Sequence, residues 1–104
     1  MIVNGRPYSN ENGYIDDKLI TNRSEEVIEK VYDWIKKGFI KRKTPNYDCK
    51  TSYGLKHILE HDTGIYLSNN EFKDAMLMCG FVPADPDELN WRYCISQNSP
   101  VLKE

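Results

Sequence analysis

The sequence predicts an α+β fold, three helices followed by a C-terminal β-hairpin in a winged helix-turn-helix arrangement. Three observations carry this expectation. Apolar residues recur at helical spacing in three segments. Capping residues stand ahead of those segments, and glycines follow them. Near the C-terminus, "WRYCIS" alternates Trp91, Tyr93 and Ile95 against Arg92, Cys94 and Ser96, which is strand period two.

Residues 1–20 are polar and rich in Asn, Gly and Tyr, and read as an N-terminal arm with a short strand at Tyr14–Ile15. The first helix opens at Ser24 as N-cap, with Glu25 and Glu26 at the positive end of the helix dipole. Val27, Ile28, Val31, Ile35 and Phe39 form its apolar stripe, widened by Tyr32 and Trp34. Lys36 and Lys37 occupy the last turn and Gly38 marks the stop. The stretch "KRKTPNYDC" reads as a loop, because Thr44–Pro45–Asn46 is turn chemistry.

The second helix begins at Thr51 or Ser52 and runs to about Asp62 with Gly64 beyond it, burying Leu55, Ile58 and Leu59. "GIYLS" is a short strand candidate. The third helix has the strongest start signal in the chain. Ser68 and Glu71 form a capping box, and Leu67 packs on Phe72 as a hydrophobic staple. Phe72, Ala75, Met76 and Cys79 line its inner face, and Gly80 ends it. "FVPA", the acidic turn "DPDELN" and "WRYCIS" make the expected hairpin. One domain over residues 21–98 results, with a fraying tail at 99–104.

Composition narrows the function classes. Of 104 residues, 39% are hydrophobic and 29% charged, as in a globular protein. No apolar run reaches membrane-span length and the start lacks the blocks of a signal peptide, so the expectation is a protein of the host cytoplasm, with no membrane partner. Cys49, Cys79 and Cys94 are odd in number and widely spaced, which fits reduced thiols rather than a disulfide or zinc framework. The net charge of −2 hides a segregation: −3 over residues 1–35, +5 over 36–50 and −4 over 51–104.

The stretch "HILEH", His57 to His61, matches the H-x-x-E-H spacing of inverted zinc proteases. At 100° per residue from Leu55, the imidazoles fall at about 200° and 240°, away from the core. A catalytic zinc needs a third protein ligand and a sheltered cavity, and neither is in view. An exposed polar helix face is the expected role. Cys49 has no evident orienting partner for nucleophilic work. No glycine-rich phosphate loop is present. The chain is therefore read as non-enzymatic, with no cofactor and no metal.

A winged-helix DNA reader would present its third helix to the major groove. Around Phe72, the outward face is expected to hold Lys73, Leu77, Asp74 and Met78, which is electrically neutral and partly apolar. Asn69 and Asn70 are the remaining base-reading candidates, with Lys36, Lys37, Lys41, Arg42 and Lys43 for phosphates. The wing would bring Asp85, Asp87 and Glu88 against the phosphates and repel them. Exposed Leu77 and Met78 mark a protein interface instead, and the weak positive field favours a protein partner over nucleic acid.

The block "SYGLKHILEHDTGIYLSNNEFKDAMLMCGF" followed by "NWRYCIS" resembles small uncharacterised proteins of phages, plasmids and integrative elements of Firmicutes. Their pattern is S-Y-G-L-K-H, then G-x-Y, then a phenylalanine-centred helix ending in G-F or G-Y, then N-W-x-Y. Ser52 to His57, Gly64, Tyr66, Phe72, Ala75, Met76, Gly80, Asn90, Trp91 and Tyr93 carry the match. It spans residues 52 to 96, about half of the chain. The resemblance implies a mobile-element origin, and with it either transcriptional regulation or the blocking of host defence, as anti-CRISPR proteins do by binding a Cas nuclease.

Folding explains most of the matched residues, but not Tyr53, Lys56 and His57. These three, with Leu77, Met78, Asp85, Asp87 and Glu88, are the expected contacts with a host protein, the chain acting as monomer or homodimer. The alternative is a winged-helix DNA-binding regulator using Asn69, Asn70, Lys73 and the Lys36–Lys43 cluster.

Overall fold

In a computed structural model of the chain, residues 2–3 and 6–7 (backbone alone), 19–85 and 88–102 are described. The strand at Tyr14–Ile15, and Asp87 in the acidic loop, lie outside them. The class is helical, not α+β. Helices α1 (Glu25–Gly38), α2 (Ser52–Thr63) and α3 (Asn69–Met78) build the fold. A minimal ladder at the chain start, β1 (Ile2–Val3) antiparallel to β2 (Arg6–Pro7), does not change that class.

α1 forms as its sequence dictates. The Ser24 hydroxyl accepts from the Val27 amide at 3.3 Å, Glu25 and Glu26 sit in the first turn, and Lys36 and Lys37 in the last. Val31 and Ile35 are fully buried. α2 ends at Gly64, whose φ of 75° closes the helix while its amide donates to the Glu60 carbonyl at 2.8 Å.

At its other end Ser52 is the first helical residue rather than the cap, and its side chain does something larger. Its hydroxyl donates to Asn69 Oδ1 at 2.9 Å and accepts the Trp91 amide at 3.0 Å. Its own amide donates to the Trp91 carbonyl at 2.7 Å. One serine thereby joins the starts of α2 and α3 to the C-terminal segment.

α3 carries the expected capping box: Ser68 Oγ accepts from Glu71 N at 3.1 Å, and Glu71 Oε1 accepts from Ser68 N at 2.9 Å. Glu71 is then gripped from outside by Arg23, whose Nε and Nη2 donate to its two oxygens at 2.6 and 3.0 Å. Every residue from Asn70 to Met76 is buried. α3 is the central helix, packed on α1 and α2 and crossed by the 3-10 turn Ile20–Asn22. Ile20, expected in the arm, is wholly buried, and its amide donates to Asp74 Oδ2 at 3.0 Å.

The C-terminal hairpin is not formed. Trp91, Tyr93 and Ile95 do point inward in alternation with the half-buried Arg92, Cys94 and Ser96. The extended segment pairs only at isolated bridges, Pro83 with Tyr93 and Lys41 with Ile95. Beyond these, Ala84 N donates to the Arg92 carbonyl, while the connector supplies Arg42 N to the Cys94 carbonyl, Asn46 N to that of Tyr93, and Asn46 Nδ2 to that of Ile95. Pro83 brings no amide to a ladder, so the partner strand stops where it begins. The wing of a winged helix is therefore absent, and the long connector fills its place.

Residues 99–102 dock rather than fray. Ser99 is buried, its hydroxyl accepting from Ile40 N at 2.8 Å, and a 3-10 turn, Pro100–Leu102, lays Val101 on α1 at Gly38. A methyl group at Gly38 would run into Val101 Cγ1. Gly38→Ala is expected to cost about 1–3 kcal/mol in urea unfolding, and a simultaneous Val101→Ala to recover part of that loss through the shared contact.

Glu71 supplies a pH prediction. Burial pushes its carboxyl up, but the bonds from Arg23 and Ser68 outweigh burial and hold it below the ordinary value. A carboxyl lowered in the folded state stabilises above its unfolded pKa of about 4.3, and that stability is lost as pH falls towards the folded value. Urea midpoints measured from pH 6 downwards should fall less steeply for Glu71→Gln than for the parent.

Candidate partner-binding site

The second helix presents Tyr53 and His57 one turn apart, both exposed, their rings perpendicular with centroids 4.6 Å apart. Lys56 lies between this pair and the chain that follows α2. Its residue is only 5% exposed, so its stem is packed. Its Nζ stands 5.3 Å from the Tyr53 ring centroid and 4.8 Å from that of Tyr66. Each such contact contributes about 0.5–1 kcal/mol at an exposed ring.

Tyr66 is held from behind, its carbonyl accepting from Arg23 Nη2 at 2.8 Å while its ring remains 61% exposed. Sequence reasoning did not single it out as a contact. The alternation of Ile65, Tyr66 and Leu67 was the available signal, since Leu67 is buried and Tyr66 faces out.

The remaining expected contacts are distributed. Met78 is 49% exposed at the end of α3, whereas Leu77 is half-buried and packs on the core. Ile40 and Val82 are also exposed, and neither was anticipated. Lys41 runs close to Gly80 and lies 5.1 Å from the Phe81 ring centroid. Asp85 and Glu88 are exposed, and the Glu88 amide donates to the Asp85 carbonyl.

The base-reading candidates fare differently. Asn70 and Lys73 are buried at 1% and 0% exposure, and Lys73 Nζ lies 4.8 Å from the Trp91 ring centroid. Asn69 is committed to Ser52, the Leu89 carbonyl and Asn90 Oδ1. None of the three is offered to a DNA groove, because α3 is wrapped on all sides. The phosphate candidates are exposed but partly engaged by their own chain. Arg42 donates to the Thr44 and Pro45 carbonyls, Lys37 pairs with Asp33 at 3.1 Å, and Lys36 lies against the Tyr32 ring; Lys43 points to solvent.

Among the described residues no three His, Cys, Asp or Glu side chains converge as a metal site, so the H-x-x-E-H spacing gathers no third ligand. His57 Nδ1 is 3.9 Å from Glu60 Oε2, and His61 Nδ1 is 3.4 Å from Asp62 Oδ1. Burial pushes the Cys49 and Cys79 thiols up, which disfavours a nucleophilic thiolate. An open cleft of about 580 Å³ beside Trp34, Asp62 and Val101 has its polar lining tied internally, Trp34 Nε1 donating to Asp62 Oδ2 at 2.9 Å. No described helix is long and apolar enough to cross a membrane.

Comparison with protein-family models, with curated proteins and with solved structures finds no match.

Lys73 tests the inward placement of α3. Its stem and its contact with Trp91 belong to the core, so Lys73→Ala should lower stability by about 1–3 kcal/mol in urea unfolding. A solvent-facing DNA contact would leave the unfolding midpoint unchanged within about 0.5 kcal/mol.

Proposed function

We propose that this chain is a non-catalytic protein-binding module of a mobile element. It blocks a host defence protein in the host cytoplasm, and a CRISPR nuclease is the target class that the resemblance implies. The observation that carries the binding reading is the face formed by Tyr53, Lys56, His57 and Tyr66. Tyrosine is favoured at binding hot spots because one side chain offers a large apolar ring and a polar tip. Two half-exposed tyrosines gathered around one packed lysine offer an anchor whose parts are already in contact, which lowers the entropic cost of association. Exposed Met78 adds apolar area, and the carboxylates of Asp85, Asp87 and Glu88 suit arginines of a nucleic-acid-binding protein. Inhibition would be steric and electrostatic occlusion.

The burial of Asn70 and Lys73 takes two base-reading candidates from the regulator reading and favours the protein-binding one.

Two measurements test the proposal together. A purified Cas nuclease incubated with the full chain should form a stoichiometric complex and lose DNA cleavage. Tyr53→Ala and Tyr66→Ala should each weaken binding by at least about tenfold, the size of a moderate hot spot. A mobility shift on duplex DNA at low salt, steeply reversed by added salt, together with undiminished cleavage, would overturn it.

A further inference from the structure

We infer that the ammonium of Lys56, seated between Tyr53 and Tyr66, is the receptor for a carboxylate of the partner protein. The inference rests on reading this face as the protein-binding surface, and it names the chemistry that the face takes.

A lysine at 5% exposure ordinarily meets a carboxylate, because a packed ammonium that gives up water needs an ionic or hydrogen-bonded replacement. Among the described residues Lys56 has contacts with the two rings and no ion pair. An intramolecular solution was at hand. Glu60 stands four residues on along α2, the spacing of a helical ion pair. Its carboxylate lies near His57 instead, with Oε2 at 3.9 Å from Nδ1. Elsewhere the fold answers an inward cation from its own chain, as where Arg23 grips Glu71 with two bonds. At Lys56 the stem is packed and the charge is bordered by two half-exposed phenols. Ring faces attract a cation without consuming its hydrogen-bond donors. An incoming carboxylate would meet the ammonium and find tyrosyl hydroxyls at the rim.

A single carboxylate fits better than a nucleic-acid backbone. A phosphate track needs several cations in series, and Lys56 is the cation seated between the two rings.

The test is a titration of the isotope-labelled full chain by NMR, following the rings of Tyr53, His57 and Tyr66 and the Cε of Lys56. The probes are acetyl-Gly-Glu-Glu-Gly-amide and, separately, octathymidylate. The acidic peptide is expected to give saturable shifts at these four residues. Lys56→Met should weaken it by at least about tenfold, while Lys56→Arg keeps most of the affinity. Thermal unfolding separates binding from folding: Lys56→Met keeps an apolar stem against the two rings and loses only the cation's ring contacts, so it should melt somewhat lower than the parent but stay folded at the titration temperature. Should Lys56→Met fail to fold, Lys56→Gln carries the same comparison.

The inference is overturned if the acidic peptide produces no saturable shift, or shifts the parent and Lys56→Met alike. It is also overturned if octathymidylate binds the same residues more tightly with steep salt dependence. If a purified Cas nuclease binds Lys56→Met as tightly as the parent, the carboxylate receptor fails and the protein-binding reading stands. If the peptide binds through Lys56 but no nuclease is bound or inhibited, the receptor stands and the proposed target fails.

Discussion

The hydroxyl of Ser52 is the joint on which this fold turns. It bonds at once to Asn69 at the head of α3 and to the Trp91 amide, while the Ser52 amide takes the Trp91 carbonyl. A buried hydroxyl that both donates and accepts ties the relative placement of three segments to one atom, and losing a partner there leaves buried polar groups unsatisfied. Trp91 is thereby fixed where its ring can receive Lys73, and Asn69 where it can hold the loop at Leu89 and Asn90.

From that joint follows the central place of α3. A ten-residue helix enclosed by α1, α2, the Ile20 turn and the C-terminal segment has no solvent face over most of its length. Three of its buried charged residues are answered from elsewhere in the chain. Asp74 takes the Ile20 amide, Glu71 takes Arg23 and the Ser68 amide, and Lys73 lies on Trp91. These contacts explain how Asp and Lys can sit side by side in a core of this size.

The enclosure of α3 also decides what the surface can do. With the helix expected to read DNA turned inward, the face proposed for a partner is built from α2 and the residues after it. There the side chains that folding leaves unexplained, Tyr53, Lys56 and His57, are joined by Tyr66. The acidic loop and the basic connector lie apart in sequence but meet through the extended segment at Arg92 to Ile95, which bonds to both. A charge pattern read along the chain therefore says little about the field that any one partner meets.

The sequence by itself determined the local events. Ser24, Ser68 with Glu71, and Gly64 set helix ends within a residue or two, because caps act over one turn and need no distant partner. The stripes of Val31 and Ile35, Leu55 and Leu59, and Phe72 and Met76 named the core, and alternation named Trp91, Tyr93 and Ile95. What only the tertiary structure decided was where each polar side chain finds its partner. Asp74 is buried because Ile20, 54 residues away, brings it an amide, and Lys73 because Trp91 brings it a ring. The alternating segment pairs with its expected partner only near Arg92 and Tyr93, because the Tyr93, Cys94 and Ile95 carbonyls are claimed by Arg42 and Asn46 in the connector. Pattern records whether a residue type prefers water. Whether that preference is overruled depends on contacts far apart in the chain, and those exist only once it has closed.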